Sequence, residues 1–167
     1  CIELANQKQK KFLFLSIANK SFGLFTDQFG NYVVQYVVNA CDYEINKIIV
    51  SNLLYDIPKF ASQTFSSNVI EKCLDCSDEE TKDLIVKNFC DEKLVQTLLF
   101  DMYGNYVLQK TISLAKEPFK SKFFSMVGPI MENLKVLTFG QFQLACIQQQ
   151  FDLLKVLYLY HYFCLQC

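Results

Sequence analysis

Apolar residues recur along this chain at helical rather than strand intervals. Ile45, Ile48, Ile49 and Leu53 fall on one face of a 3.6-residue period, and so do Phe119, Phe123, Phe124 and Val127. No segment shows a sustained two-residue alternation closed by a hairpin turn. Ser77-Asp-Glu-Glu80 matches an S-x-x-E capping box ahead of Leu84 and Ile85, which predicts a helix capped by Ser77. Pro118 and Pro129 are assigned to first helical turns, where proline is tolerated. The pattern predicts an all-α chain.

The pattern also repeats. Asp27-Gln-Phe-Gly-Asn-Tyr-Val-Val-Gln35, Gln63-Thr-Phe-Ser-Ser-Asn-Val-Ile-Glu71 and Asp101-Met-Tyr-Gly-Asn-Tyr-Val-Leu-Gln109 align without gaps, and Leu137-Thr-Phe-Gly-Gln-Phe-Gln-Leu-Ala145 is a weaker fourth copy. Taking Asn31, Ser67, Asn105 and Gln141 as equivalent, the copies are 36, 38 and 36 residues apart. An aromatic stands two positions earlier each time (Phe29, Phe65, Tyr103, Phe139), and Phe29 and Tyr103 are expected to point inward. Val33, Val34, Val69, Ile70, Val107 and Leu108 are expected in the core. A period of this length with helical units predicts an α-solenoid, in which each unit buries one face on its neighbour.

Within each copy, residues four apart share a helix face and the residue after the first lies at its edge. The copies therefore present Asn31, Tyr32 and Gln35, then Ser67, Asn68 and Glu71, then Asn105, Tyr106 and Gln109. This chemistry suits unpaired RNA bases. Asn and Gln carry both donor and acceptor and can match the mixed edge of uracil, whereas an ionised Glu only accepts and suits the N1–H and N2–H₂ donors of guanine. Tyr32 and Tyr106 offer flat faces on which bases can stack.

These triplets, in this order, resemble the last three repeats of a Pumilio (PUF) RNA-binding domain, and Phe-Ser-Ser-Asn-Val-Ile-Glu-Lys-Cys73 is especially similar to the family's penultimate repeat. The resemblance covers roughly residues 10 to 155. It implies a PUF/armadillo-like superhelix divided into the end of a preceding repeat (1–15), repeats similar to the family's sixth, seventh and eighth (16–43, 44–79 and 80–115), a C-terminal capping pseudo-repeat (116–157) and a tail (158–167). PUF repeats read one base each. With protein and RNA antiparallel, the resemblance implies a 5′-UGU-3′ core: first U by Asn105 and Gln109, G by Ser67 and Glu71, last U by Asn31 and Gln35. Tyr106 and Asn68 would lie between bases, Tyr32 over the last U, and Phe142 of the pseudo-repeat at the 5′ end. It further implies a cytoplasmic protein that binds messenger 3′ untranslated regions and represses them through co-repressor or deadenylation proteins. The alternatives are a nucleolar PUF-like factor in ribosome assembly and a HEAT- or armadillo-like protein-binding scaffold.

Composition narrows this picture. Half of the 167 residues are hydrophobic, enough for a core. Net charge is −1 and arginine is absent, which excludes a protein that holds nucleic acid mainly through its phosphates, and argues against DNA. Lys20, Lys72 and Lys110 are left as candidate phosphate contacts. Of eight cysteines, Cys41, Cys73, Cys90 and Cys146 are expected as small apolar fillers; the pairs Cys73/Cys76 and Cys164/Cys167 lie too far apart for a zinc ribbon. No metal, cofactor or catalytic set is expected, because the single histidine, His161, lies in an apolar stretch without partners for a triad. That stretch, Leu153–Cys167, is too short and polar to span a membrane. The chain begins with Cys1 and holds three readable copies, so it is expected to be part of a longer protein with an open apolar face at its N-terminal end.

Overall fold

The computed structural model describes residues 4–40 and 42–136, and every regular element among them is helical. The order is α1 (Gln7–Asn19), α2 (Ser21–Leu24), α3 (Gly30–Asn39), α4 (Tyr43–Leu54), α5 (Ile57–Ala61), α6 (Thr64–Cys76), α7 (Glu79–Phe89), α8 (Glu92–Leu99), α9 (Gly104–Leu114) and α10 (Phe119–Val136). A long helix, a short one and a motif helix recur three times, and α10 opens a fourth round. The motif helices pack in series, α3 on α6 and α6 on α9, and the long helices do the same, α1 on α4 and α4 on α7. This is the expected α-solenoid.

The long helices start on the same period as the motif. Asn6, Asp42 and Asp78 stand 36 residues apart and cap α1, α4 and α7 by accepting the backbone N–H of Gln9 (2.9 Å), Ile45 (3.3 Å) and Thr81 (2.7 Å). α1 is the counterpart of α4 and α7, and residue 15 lies inside it. One correction follows: the S-x-x-E match at Ser77 is not a capping box. Ser77 ends α6, its N–H donating to the Cys73 carbonyl, and its hydroxyl is buried without a hydrogen-bond partner. Asp78 is the cap, the ionised carboxylate being the stronger acceptor. Asp78→Ala should therefore cost about 1 kcal/mol in urea unfolding, while Ser77→Ala should be close to neutral; the opposite ranking would restore the capping box.

Pro129 also departs from expectation. It lies inside α10 rather than in its first turn, where it removes the backbone bond to the carbonyl four residues earlier. Pro118 stands just before α10 and not within its first turn.

One continuous core runs through the units. Ile45, Ile49 and Leu53 of α4 are buried, as are Phe123, Phe124 and Val127 of α10 and the motif positions Val34, Val69, Ile70, Val107 and Leu108. Val33 is not; it is 40% exposed while its counterparts Val69 and Val107 are fully buried. The reason is positional. Val69 and Val107 belong to helices that pack on a preceding motif helix, and among the described residues α3 has none before it. Leu4 and Phe12 are exposed at the same end. Phe29 is a further correction: it is 71% exposed and Tyr103 is half-buried, because both precede the first full helical turn and fall out of phase with the apolar stripe. Phe25 and Phe60, by contrast, are buried and pack edge-to-face at 5.1 Å.

Cys73 and Cys90 are buried fillers, and burial pushes the Cys73 thiol far up. Cys41 and Cys146, the tail with His161, and the pair Cys164/Cys167 lie outside the described residues. Among those described, no three metal-ligating side chains cluster, and no helix is long and apolar enough to cross a membrane.

Candidate nucleic-acid interface

Each motif helix that carries a glutamine begins with the same turn. The Asp27 carboxylate accepts the backbone N–H groups of Phe29 (2.9 Å) and Gly30 (2.6 Å). These two bonds, Gly30 first, hold its carboxyl below the ordinary range. Asp101 does the same for Tyr103 (2.9 Å) and Gly104 (2.6 Å). Glycine eases the third step: a Cβ on Gly30 would sit 3.0 Å from the Leu24 carbonyl oxygen, and one on Gly104 would push aside the end of the Leu98 side chain, whose Cδ2 lies 2.6 Å away.

The next residue is an asparagine drawn into the turn. Asn31 Nδ2 donates to the carbonyls of Asp27 (2.9 Å) and Gln28 (3.0 Å), and its Oδ1 accepts from Gln35 Nε2 (3.0 Å). Asn105 repeats this with Asp101 (2.7 Å), Met102 (3.1 Å) and Gln109 Nε2 (3.1 Å). Both asparagines are buried, at 1% and 3% exposure. The expectation of two open hydrogen-bonding side chains per unit is corrected here. Both N–H donors of each asparagine are committed to backbone, so Asn31 and Asn105 can offer a ligand no more than an acceptor lone pair on Oδ1.

The middle copy is built differently. Ser67 is buried and its hydroxyl donates to the Thr64 carbonyl (3.2 Å). Glu71 is half-buried. Burial raises its pKa above the ordinary carboxylate value, and Asp75 adds to this, while the Lys110 ammonium opposes it.

The three helices stand in register. Lys72 of α6 reaches Asn39 of α3 (3.3 Å), and Lys110 of α9 reaches Asp75 of α6 (2.7 Å). In motif terms these are the same two positions, a lysine on one helix and an acceptor three positions further along on the helix before it. Gln35, Glu71 and Gln109 hold one equivalent position along this stack; Gln35 and Glu71 are half-buried and Gln109 is 7% exposed. Beside them Tyr32 (65%), Tyr106 (50%) and Asn68 are exposed. Asn68 also donates to the Thr64 carbonyl (2.9 Å). Lys110 is engaged with Asp75, so little net charge remains from it for a phosphate, whereas Lys20 is exposed. The fourth copy, with Gln141, Phe142 and Ala145, lies outside the described residues.

Sequence reasoning missed Asp27 and Asp101 as parts of this site. The signal was present, since Asp-x-x-Gly-Asn occurs in both glutamine copies and is absent from the glutamate copy.

A model of the Pumilio-family RNA-binding repeat matches residues 26–54, 56–90 and 95–127. A Pumilio domain-containing protein of Schizosaccharomyces pombe is 31% identical over 81% of this chain and 20% of its own length. Pumilio homolog 9 of Arabidopsis thaliana is 34% identical over 76% of this chain and 22% of its own length. The chain thus spans about a fifth of these relatives. Among solved structures, PUF-8 in complex with PBE-RNA superposes with a TM-score of 0.77 at 28% identity, covering 95% of this chain and 45% of that one. The Puf4 RNA-binding domain bound to an HO endonuclease RNA 3′ UTR recognition sequence gives 0.64 at 31% identity, covering 78% and 43%.

Proposed function

Because the chain belongs to the Pumilio family of RNA-binding repeat proteins, we propose that it binds single-stranded RNA with a 5′-UGU-3′ core through the stacked helices α9, α6 and α3. The observation that carries this is the order Gln109, Glu71, Gln35 at one equivalent position of three helices in register. Gln109 meets the first uracil, Glu71 the guanine and Gln35 the last uracil, with the Oδ1 atoms of Asn105 and Asn31 and the Ser67 hydroxyl beside them. Tyr106 and Asn68 separate successive bases and Tyr32 covers the last one. Relatives solved with 3′ UTR recognition sequences support messenger 3′ untranslated regions as the target. Repression in the cytoplasm, through recruited co-repressor or deadenylation proteins, completes the proposal.

Titration of the protein with UGU and UCU oligonucleotides in identical flanks tests it. UGU should bind more tightly, and equal affinities would indicate a scaffold that reads no bases.

Glu71 gives the interface a pH dependence. Guanine's donors need the ionised carboxylate, and that form is lost as pH falls through the pKa that burial has raised. Lys110 and Asp75 face Glu71 and act in opposite senses. UGU affinity should therefore weaken on acidification, beginning at a higher pH than an ordinary carboxylate would cause, and Glu71→Gln should flatten the profile. A wild-type profile as flat as the variant's would remove the ionised carboxylate from guanine binding.

A further inference from the structure

A glutamine carboxamide has a donor end and an acceptor end of nearly the same shape. Turned one way it complements uracil, whose N3–H donates beside the O4 acceptor. Turned the other way it complements cytosine, whose N3 accepts beside the N4–H₂ donor. A glutamine free to flip would therefore serve both pyrimidines. A carboxylate has no such ambiguity, because both of its oxygens accept.

The two glutamine copies contain a device that removes the ambiguity. Two backbone carbonyls, Asp27 O and Gln28 O, lie 2.9 and 3.0 Å from Asn31 Nδ2, and only the –NH₂ end of an amide is tolerated between them. That fixes Asn31 Oδ1 towards Gln35, where it accepts from Nε2 at 3.0 Å. A flipped Gln35 would set Oε1 against Oδ1, acceptor against acceptor. As it stands, Gln35 is left with one Nε2–H donor and the Oε1 acceptor in a fixed order, which at a given base position complements one of the two pyrimidines and not the other. The Asp27 carboxylate folds the turn by binding the N–H groups of Phe29 and Gly30, and so places its own carbonyl under Asn31. Asp101, Asn105 and Gln109 repeat every one of these bonds.

The glutamate copy has none of it. Gln63 replaces the aspartate and makes no side-chain cap, Ser66 replaces the glycine, and the Ser67 hydroxyl turns to Thr64 instead of Glu71. The device is present where the reading group is an amide and missing where it is a symmetric carboxylate.

We propose that the Asp-x-x-Gly-Asn turn is a polarity lock: Asp27 with Asn31, and Asp101 with Asn105, fix the order in which the following glutamine presents its donor and acceptor to the RNA, and thereby select uracil over cytosine. Asp27 and Asp101 are positioning residues, Asn31 and Asn105 orient the glutamine in addition to offering their own Oδ1, and the proposal rests on the U-G-U assignment above.

The test compares UGU, UGC and UAU oligonucleotides on the full-length protein, as wild type and as Asn31→Ala, Asp27→Ala and Asp27→Asn. Asn31→Ala should reduce the UGU-over-UGC preference by about tenfold and leave the UGU-over-UAU preference, which Glu71 sets, unchanged. Asp27→Ala should reduce the first ratio in the same direction, and Asp27→Asn should restore it, since its Oδ1 still accepts. Asp27 is exposed, so its variants keep the test available even if Asn31→Ala does not fold. An undiminished uracil preference in Asn31→Ala or Asp27→Ala overturns the lock, as does an equal fall in both ratios, which would mean general loosening. A wild-type protein with no preference for UGU over UGC and UAU would instead sink the U-G-U assignment, and the lock with it.

Discussion

Glu71→Gln is expected to weaken UGU binding by about 1–3 kcal/mol, the size of a lost bidentate base contact. Guanine presents two donors side by side, N1–H and N2–H₂, and a carboxylate meets both with acceptors. An amide meets one of them with its own N–H, so a donor is left facing a donor. The cost is not softened by water, because Glu71 is already half-buried in the free protein and would be more so under a base. Nor should the fold suffer, since Lys110 keeps its 2.7 Å partner, Asp75. Fluorescence anisotropy titrations of wild type and variant against one UGU oligonucleotide measure the effect. Equal affinities would take guanine away from α6.

Phe60→Ala should cost about 3–5 kcal/mol of folding stability. Phe60 is 1% exposed and lies at the centre of an aromatic group, edge-to-face with Phe25 at 5.1 Å and Phe22 at 5.3 Å. Its removal leaves a cavity that neighbouring backbone, fixed in short helices, closes poorly. It also separates units, because Phe22 and Phe25 belong to the first and Phe60 to the second. In a solenoid, stability depends on the interfaces between neighbouring units, so the loss should spread to both. Urea unfolding monitored by circular dichroism gives the value; a cost below about 1 kcal/mol would mean that the cluster adds little to the junction.

The repeat, its period and its α-helical character were legible because they are carried by residues that recur at fixed spacing and by apolar stripes that no strand would need. The order of the triplets was legible for the same reason. What the sequence hid was the direction in which similar polar groups turn. Asn31 and Gln35 share a face, as their spacing requires, yet one is buried in its own turn and the other is the group left at the surface. That distinction depends on the carbonyls of residues 27 and 28, which no side-chain pattern displays. Ser77 and Asp78 posed the same problem at a helix start: two capping residues stand in sequence, and the end of α6 claims the first. The caps Asn6, Asp42 and Asp78 recur on the motif's own period and mark the beginning of each long helix. The recurring aromatic at Phe29 shows that recurrence can equally serve an exposed position.

Selection of RNAs from a random pool by the full-length protein tests most directly whether three stacked helices read three successive bases. UGU should be enriched at a fixed place in the bound sequences, with guanine at its centre. A pool that emerges without a shared triplet, or with cytosine as frequent as uracil on either side of that guanine, would contradict it.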